Sequence, residues 1–136
     1  MKIFLDANII IDFLDSKRQW HKQANEVIKY IVGDGDKIVI SEDILTTVYY
    51  VCKKDVQNKK LFAFFEMIIE EFEVVCFGKD IIEASIELCV EDKKLDFEDV
   101  LQATCAKKAK CDLIITNDKN FAQIGVTVKT IENFIK

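Results

Sequence analysis

An α/β fold, a three-layer α/β/α sandwich around a central parallel sheet of about five strands, is what this sequence predicts, and three observations carry it. Short apolar, β-branched runs alternate along the chain with longer amphipathic stretches. The short runs are too brief for buried helices. Two of them are followed by an aspartate, Asp6 after Lys2-Ile3-Phe4-Leu5 and Asp118 just past Leu113-Ile114-Ile115-Thr116-Asn117. Open α/β sheets build their sites at the carboxyl ends of strands.

In chain order, the expected strands are residues 3–5, 38–40, 74–76, 113–115 and 126–128. Between the first two, Ala24, Val27, Ile28, Ile31 and Val32 recur with the i, i+3, i+4, i+7, i+8 spacing of an amphipathic helix. Leu61, Phe64, Phe65, Ile68 and Phe72 define a second helix. Ile82, Ser85, Ile86 and Cys89 mark the face of a third, and Val100, Leu101, Thr104 and Cys105 that of a fourth. Helices laid over a parallel sheet bury it on both faces. Gly33-Asp34-Gly35-Asp36 is a turn, and Gly78 and Gly125 punctuate two more. The chain has no proline, no linker, no repeat and no low-complexity tract, so residues 1–136 read as a single domain.

Composition narrows the function classes. With 136 residues and 50% hydrophobic content, the chain can build one sizeable core. A net charge of -5 and a pI near 5.0 exclude a bulk nucleic-acid binder held by charge alone. A polyanionic substrate would need local basic patches and metal ions. The five cysteines, Cys52, Cys76, Cys89, Cys105 and Cys111, are odd in number and form no C-x-x-C pair. They point to packing in a reduced, cytoplasmic protein. Asp6 and Asp12 interrupt the only early apolar run, and no later segment approaches about 18 uncharged apolar residues, so neither secretion nor membrane spanning is expected.

The acids each have an ordinary explanation. Asp6 can cap the helix that begins after it. Asp96-Phe97-Glu98-Asp99 has capping-box spacing between its two aspartates, and Glu98 is expected to face solvent. Thr116-Asn117-Asp118 can be a polar turn. Taken together, however, three carboxylate positions fall at strand or helix ends on one sheet edge. Converging carboxylates repel one another unless a cation lies among them, and a hard divalent ion with oxygen ligands is the usual partner.

The stretches Phe4-Leu5-Asp6-Ala7-Asn8-Ile9-Ile10-Ile11-Asp12, Asp96-Phe97-Glu98-Asp99-Val100-Leu101-Gln102 and Ile115-Thr116-Asn117-Asp118-Lys119-Asn120-Phe121, in that order and spanning essentially the whole chain, resemble the PIN-domain family, whose bacterial members include VapC-type toxins. The resemblance implies a Mg2+- or Mn2+-dependent ribonuclease with a central parallel sheet, RNA as substrate, a homodimer, and a small antitoxin partner. It implies catalytic roles for Asp6, Asp99 and Asp118, with Asp96 as an additional metal ligand. Asn8, Ser41, Thr116 and Asn117 match supporting positions. In one place the pattern departs. Family members usually carry a glutamate on the helix after the second strand, and Thr47 stands there within Ser41-Glu42-Asp43-Ile44-Leu45-Thr46-Thr47. Either Glu42 or Asp43 supplies that oxygen, or the site runs with fewer carboxylates, and both acids also suit a helix amino terminus for dipole reasons.

Among the basic residues, Lys93, Lys94 and Lys119 are the best placed to meet a phosphate backbone. His21 is the only histidine, which removes a histidine-based nuclease and a zinc site. Phe62, Phe64, Phe65 and Phe72 read as core with a share left for a partner surface. No glycine-rich loop follows the first strand, so a dinucleotide site is excluded. Asn8 stands where an aspartyl-phosphatase would need its second aspartate. The competing class is a PIN-like module that has lost its full metal site and only binds RNA or protein.

Overall fold

The computed structural model describes residues 1–135. The elements run β1 (Lys2–Leu5), α1 (Ala7–Leu14), α2 (His21–Gly33), β2 (Lys37–Ser41), α3 (Asp43–Cys52), α4 (Asn58–Glu71), β3 (Glu73–Val75), α5 (Lys79–Glu91), α6 (Phe97–Lys108), β4 (Leu113–Thr116), β5 (Thr127–Thr130) and α7 (Ile131–Ile135). All five strands are parallel, in the order β3-β2-β1-β4-β5. Their apolar runs follow from burial on both faces: Ile3, Phe4, Leu5, Ile40, Ile114 and Ile115 are completely enclosed.

The strand order decides where the helices lie. Crossovers from β1 to β2 and from β2 to β3 step one way, whereas β3 to β4 steps back across the sheet. Right-handed connections therefore put α1 to α4 on one face and α5 with α6 on the other. The packing agrees, since α1 contacts α2 and α3, α3 contacts α4, and α7 joins α2, while α5 packs on α6. The result is a three-layer α/β/α sandwich. β1 and β4 are the neighbours from which the chain departs in opposite directions, so a crevice opens beyond their carboxyl ends.

Several expectations from periodicity shift, the third strand among them, which is Glu73–Val75 rather than 74–76. On α5 the buried positions are Ile81 and Ser85, while Ile82 and Ile86 are exposed. The Ile81-Ile82 and Ser85-Ile86 doublets fit two helical faces one residue apart, and the packing on α6 selects the first. The last strand is Thr127–Thr130 rather than 126–128, and it alternates exposed and half-buried residues as an edge strand does. Val32 is exposed at the end of α2. The turn after it places Gly35 at φ 78, a left-handed conformation that glycine adopts without steric cost. Of the phenylalanines, Phe64 and Phe72 join the core and Phe62 stays exposed. Among the described residues, no helix is long and apolar enough to cross a membrane.

Candidate active site

Asp6 leaves β1 at the crevice. Its backbone N–H donates to the Ile115 carbonyl at 3.0 Å, which continues the β1–β4 ladder and fixes the residue beside the end of β4. It occupies the N-cap position of α1, yet its side chain makes no capping hydrogen bond. The carboxylate turns instead across the crevice, where Oδ2 accepts a 2.7 Å bond from the Thr116 hydroxyl. Only 4% of Asp6 is exposed, and Thr116 is fully buried. The Thr116 oxygen in turn accepts from the Asp118 N–H at 3.0 Å, and Asp118 Oδ1 accepts from the Asn120 N–H at 2.8 Å. One hydroxyl thus holds both Asp6 and the turn that carries Asp118.

The third wall is the amino end of α6. Asp96 caps it, with Oδ1 accepting from the Asp99 N–H at 3.1 Å. The capping box is only half built, because no bond from the Asp96 N–H to the Asp99 carboxylate accompanies it, and the Asp99 side chain remains available. Burial is the first reason that Asp99 is raised to about 7, and the charges of Asp6, Asp96, Asp118 and Glu98 add to it. Asp6 is raised to about 6, again by burial first; Thr116 and the Ala7 N–H oppose the rise, while Glu98 and Asp118 add to it. Glu98 is exposed as expected, but its charge acts inward on Asp6. The predicted acids therefore feel one another's charge around one crevice. They are gathered without forming a closed cage: among the described residues, no three Asp, Glu, His or Cys side chains stand at the mutual spacing of a metal site. Carboxylates that repel one another rest apart.

The family model described as the PIN domain matches residues 3–126. The chain belongs to the PIN domain family. It is 38% identical over 134 residues to "Ribonuclease VapC1" of Aquifex aeolicus (strain VF5), covering 98% of this chain and 92% of that protein. Among solved structures, a toxin-antitoxin complex from Klebsiella pneumoniae is similar with a TM-score of 0.70 and 25% identity, over 95% of this chain and 97% of the other. Mycobacterium tuberculosis VapC20, described as a sarcin-ricin loop cleaving toxin, shares the fold with a TM-score of 0.75 at 16% identity, over 92% and 96% of the two chains.

Within this PIN domain the helix after β2 carries Thr47 where the resemblance places a glutamate. The Thr47 hydroxyl donates to the Asp43 carbonyl of its own helix at 3.3 Å. Glu42 is engaged at the chain beyond β3, its Oε1 accepting from the Phe77 N–H at 3.1 Å. Asp43 lies near α6, as Glu42 does: after burial, both charges add to the raised Cys105 thiol. The Asp43 Oδ1 accepts from the buried Ser41 hydroxyl at 2.5 Å, and its charge, after burial, helps to raise the Glu98 carboxyl. Asn8 is exposed on the first turn of α1. Lys93, Lys94 and Lys119 are all exposed, and Lys119 and Asp118 line one shallow recess of about 390 Å³ with Thr130 and Asn133.

Sequence reasoning missed a second polar group behind the turn. Asp12, 3% exposed on α1, pairs through Oδ1 with Arg18 Nε at 3.0 Å, and its Oδ2 accepts from Asn117 Nδ2. The Asp12 carbonyl bonds His21 Nδ1 at 2.8 Å, which gives that histidine a structural contact. An aspartate within an apolar helical run was the available signal, since a buried carboxylate requires a partner.

Proposed function

We propose that the chain is a divalent-metal-dependent endoribonuclease that hydrolyses RNA phosphodiester bonds as the toxin of a toxin–antitoxin pair. The observation that carries this reading is the raised titration of Asp6 and Asp99 by burial and by each other's neighbourhood of carboxylates, a field that a cation relieves. Family membership and the 38% identity to a ribonuclease support the reaction.

Asp6, Asp99 and Asp118 would hold Mg2+ or Mn2+, assisted by Asp96, with Asp43 reaching in from α3 in place of the absent glutamate. The donor set is all oxygen, which suits a hard cation. Bound there, the ion supplies activation of a water and neutralisation of the leaving oxygen. Thr116 orients the Asp6 carboxylate through Oδ2 and holds the Asp118 turn. His21 is committed to the Asp12 carbonyl, and burial pushes the Cys105 thiol up to about 12, so neither is poised for covalent attack. Lys119, Lys93 and Lys94 bring positive charge to the substrate backbone.

The toxin reading also implies a small antitoxin, which the toxin-antitoxin complex among its structural relatives supports, and a cytoplasmic homodimer, which rests on the family resemblance alone. Light scattering of the purified protein, alone and coexpressed with a neighbouring reading frame, tests both. The reaction itself is tested by incubating purified protein with labelled RNA. EDTA should abolish cleavage, Mg2+ or Mn2+ should restore it, and Asp6→Asn should be inert; cleavage that persists in EDTA would overturn the proposal. Thr47 favours a second reading, a module that binds RNA without cutting it, and tight binding with no cleavage in any metal would support that one.

A further inference from the structure

We propose that Arg18 is a substrate-binding residue that grips a backbone phosphate next to the cleaved one. The inference rests on the ribonuclease reading and deepens it by naming a contact on the RNA track. Arg18 is the only arginine in a chain of net charge -5. Its backbone lies in two successive turns, with its N–H donating to the Asp15 carbonyl at 3.1 Å and its own carbonyl accepting from the His21 N–H at 3.1 Å. Its guanidinium spends Nε on Asp12, and no protein acceptor takes the terminal Nη groups among the described residues. The side chain is 39% exposed while its partner is 4% exposed, so the buried carboxylate aims the outward-facing edge of the guanidinium.

The same carboxylate places that edge. Asp12 bonds Arg18 with one oxygen and Asn117 with the other, and Asn117 is the residue between Thr116 and Asp118. Arg18 is therefore one carboxylate away from the turn that carries a candidate metal ligand. A guanidinium with its terminal N–H groups free in a fixed plane matches two phosphate oxygens at once, and a rigid one loses little entropy on binding.

The test is binding of a fluorescent single-stranded RNA by anisotropy, in EDTA so that nothing is cleaved, across a salt series. The proteins are wild type, Arg18→Gln, Arg18→Lys and the double variant Asp12→Asn with Arg18→Gln. The double variant removes the buried charge that Arg18→Gln alone would strand, and the amide oxygen it introduces on α1 can still accept from Asn117. Loss of one phosphate contact should weaken binding about tenfold and flatten the slope of log affinity against log salt by about 0.7. The double variant should remain as weak as Arg18→Gln while melting close to wild type, and Arg18→Lys should retain the slope with a smaller loss of affinity. Wild-type affinity and slope in the double variant would overturn the inference and reduce the pair to a structural one. If wild type does not bind in EDTA, the same series is run in Mn2+ with Asp6→Asn in every protein, which holds the ion without cleaving; failure of that parent to bind RNA overturns the ribonuclease reading, whereas binding unchanged by the Arg18 substitutions overturns this inference alone.

Discussion

Asp6→Asn should make the protein more stable at neutral pH while removing its proposed activity. Asp6 titrates near 3.8 when unfolded and at about 6 in the folded chain, so the folded state resists ionisation. Its stabilising contribution is complete below about pH 3.8, declines as pH rises, and is lost above about 6. At pH 8 the enclosed carboxylate thus costs the fold about 3 kcal/mol, with no discount for solvent because the residue is only 4% exposed. Asparagine is close in shape, its carbonyl can still accept from Thr116, and it carries no charge. Urea melts in EDTA should therefore show Asp6→Asn gaining about 3 kcal/mol at pH 8, roughly 10 °C in Tm, and almost nothing near pH 3.5. Added Mn2+ should narrow the gap by stabilising wild type alone, by about 2.7 kcal/mol at a concentration a hundredfold above Kd. A variant no more stable than wild type at pH 8, or a gain equal at both pH values, would refute the reasoning.

Other substitutions separate neighbouring roles. In Mn2+ calorimetry Asp43→Asn should weaken affinity several-fold, whereas Glu42→Gln should leave it unchanged because that side chain is engaged at Phe77. Thr116→Val keeps the shape but removes the donor to Asp6 and the acceptor for Asp118; it should destabilise the fold by about 1–3 kcal/mol and cut cleavage at least tenfold. A maleimide at pH 7 should label the exposed Cys76 first in the native protein. Cys52, Cys105 and Cys111 should react only after denaturation, since all three are buried and burial raises their thiols, those of Cys105 and Cys111 to about 12 and 11. Mass spectrometry of the labelled protein counts them.

What could be read from the chain and what could not divide along the distance between partners. Asp6, Asp118 and the β-branched runs carry their own local signal, so all five strands, to within a residue or two at their ends, and the position of the crevice follow from pattern alone. The acidic start of α6 announces its own cap. Whether Asp96 or Thr116 does more than cap or turn depends on residues far along the chain. Thr116 meets Asp6 and Asn117 meets Asp12 across separations of 110 and 105 residues, which no local periodicity encodes. That the Glu42 carboxylate is engaged by the Phe77 N–H beyond β3 was not legible either, because the contact spans 35 residues. On α5 the doublets left the helix free to roll by one position until α6 was in place. Short α7 has too few residues to display a period.

The pairing of β1 with β4 also sets when, during synthesis, the crevice can exist. Asp6 leaves the ribosome 110 residues ahead of the threonine that holds it. At ordinary rates of translation that is a lag of roughly 5–20 s. During that interval the nascent chain has the strand that bears its first acid but neither β4 nor the Asp118 turn. A growing chain therefore lacks the Asp118 side of the crevice until β4 has been made, and premature termination anywhere before β4 releases a fragment that carries Asp6 without it.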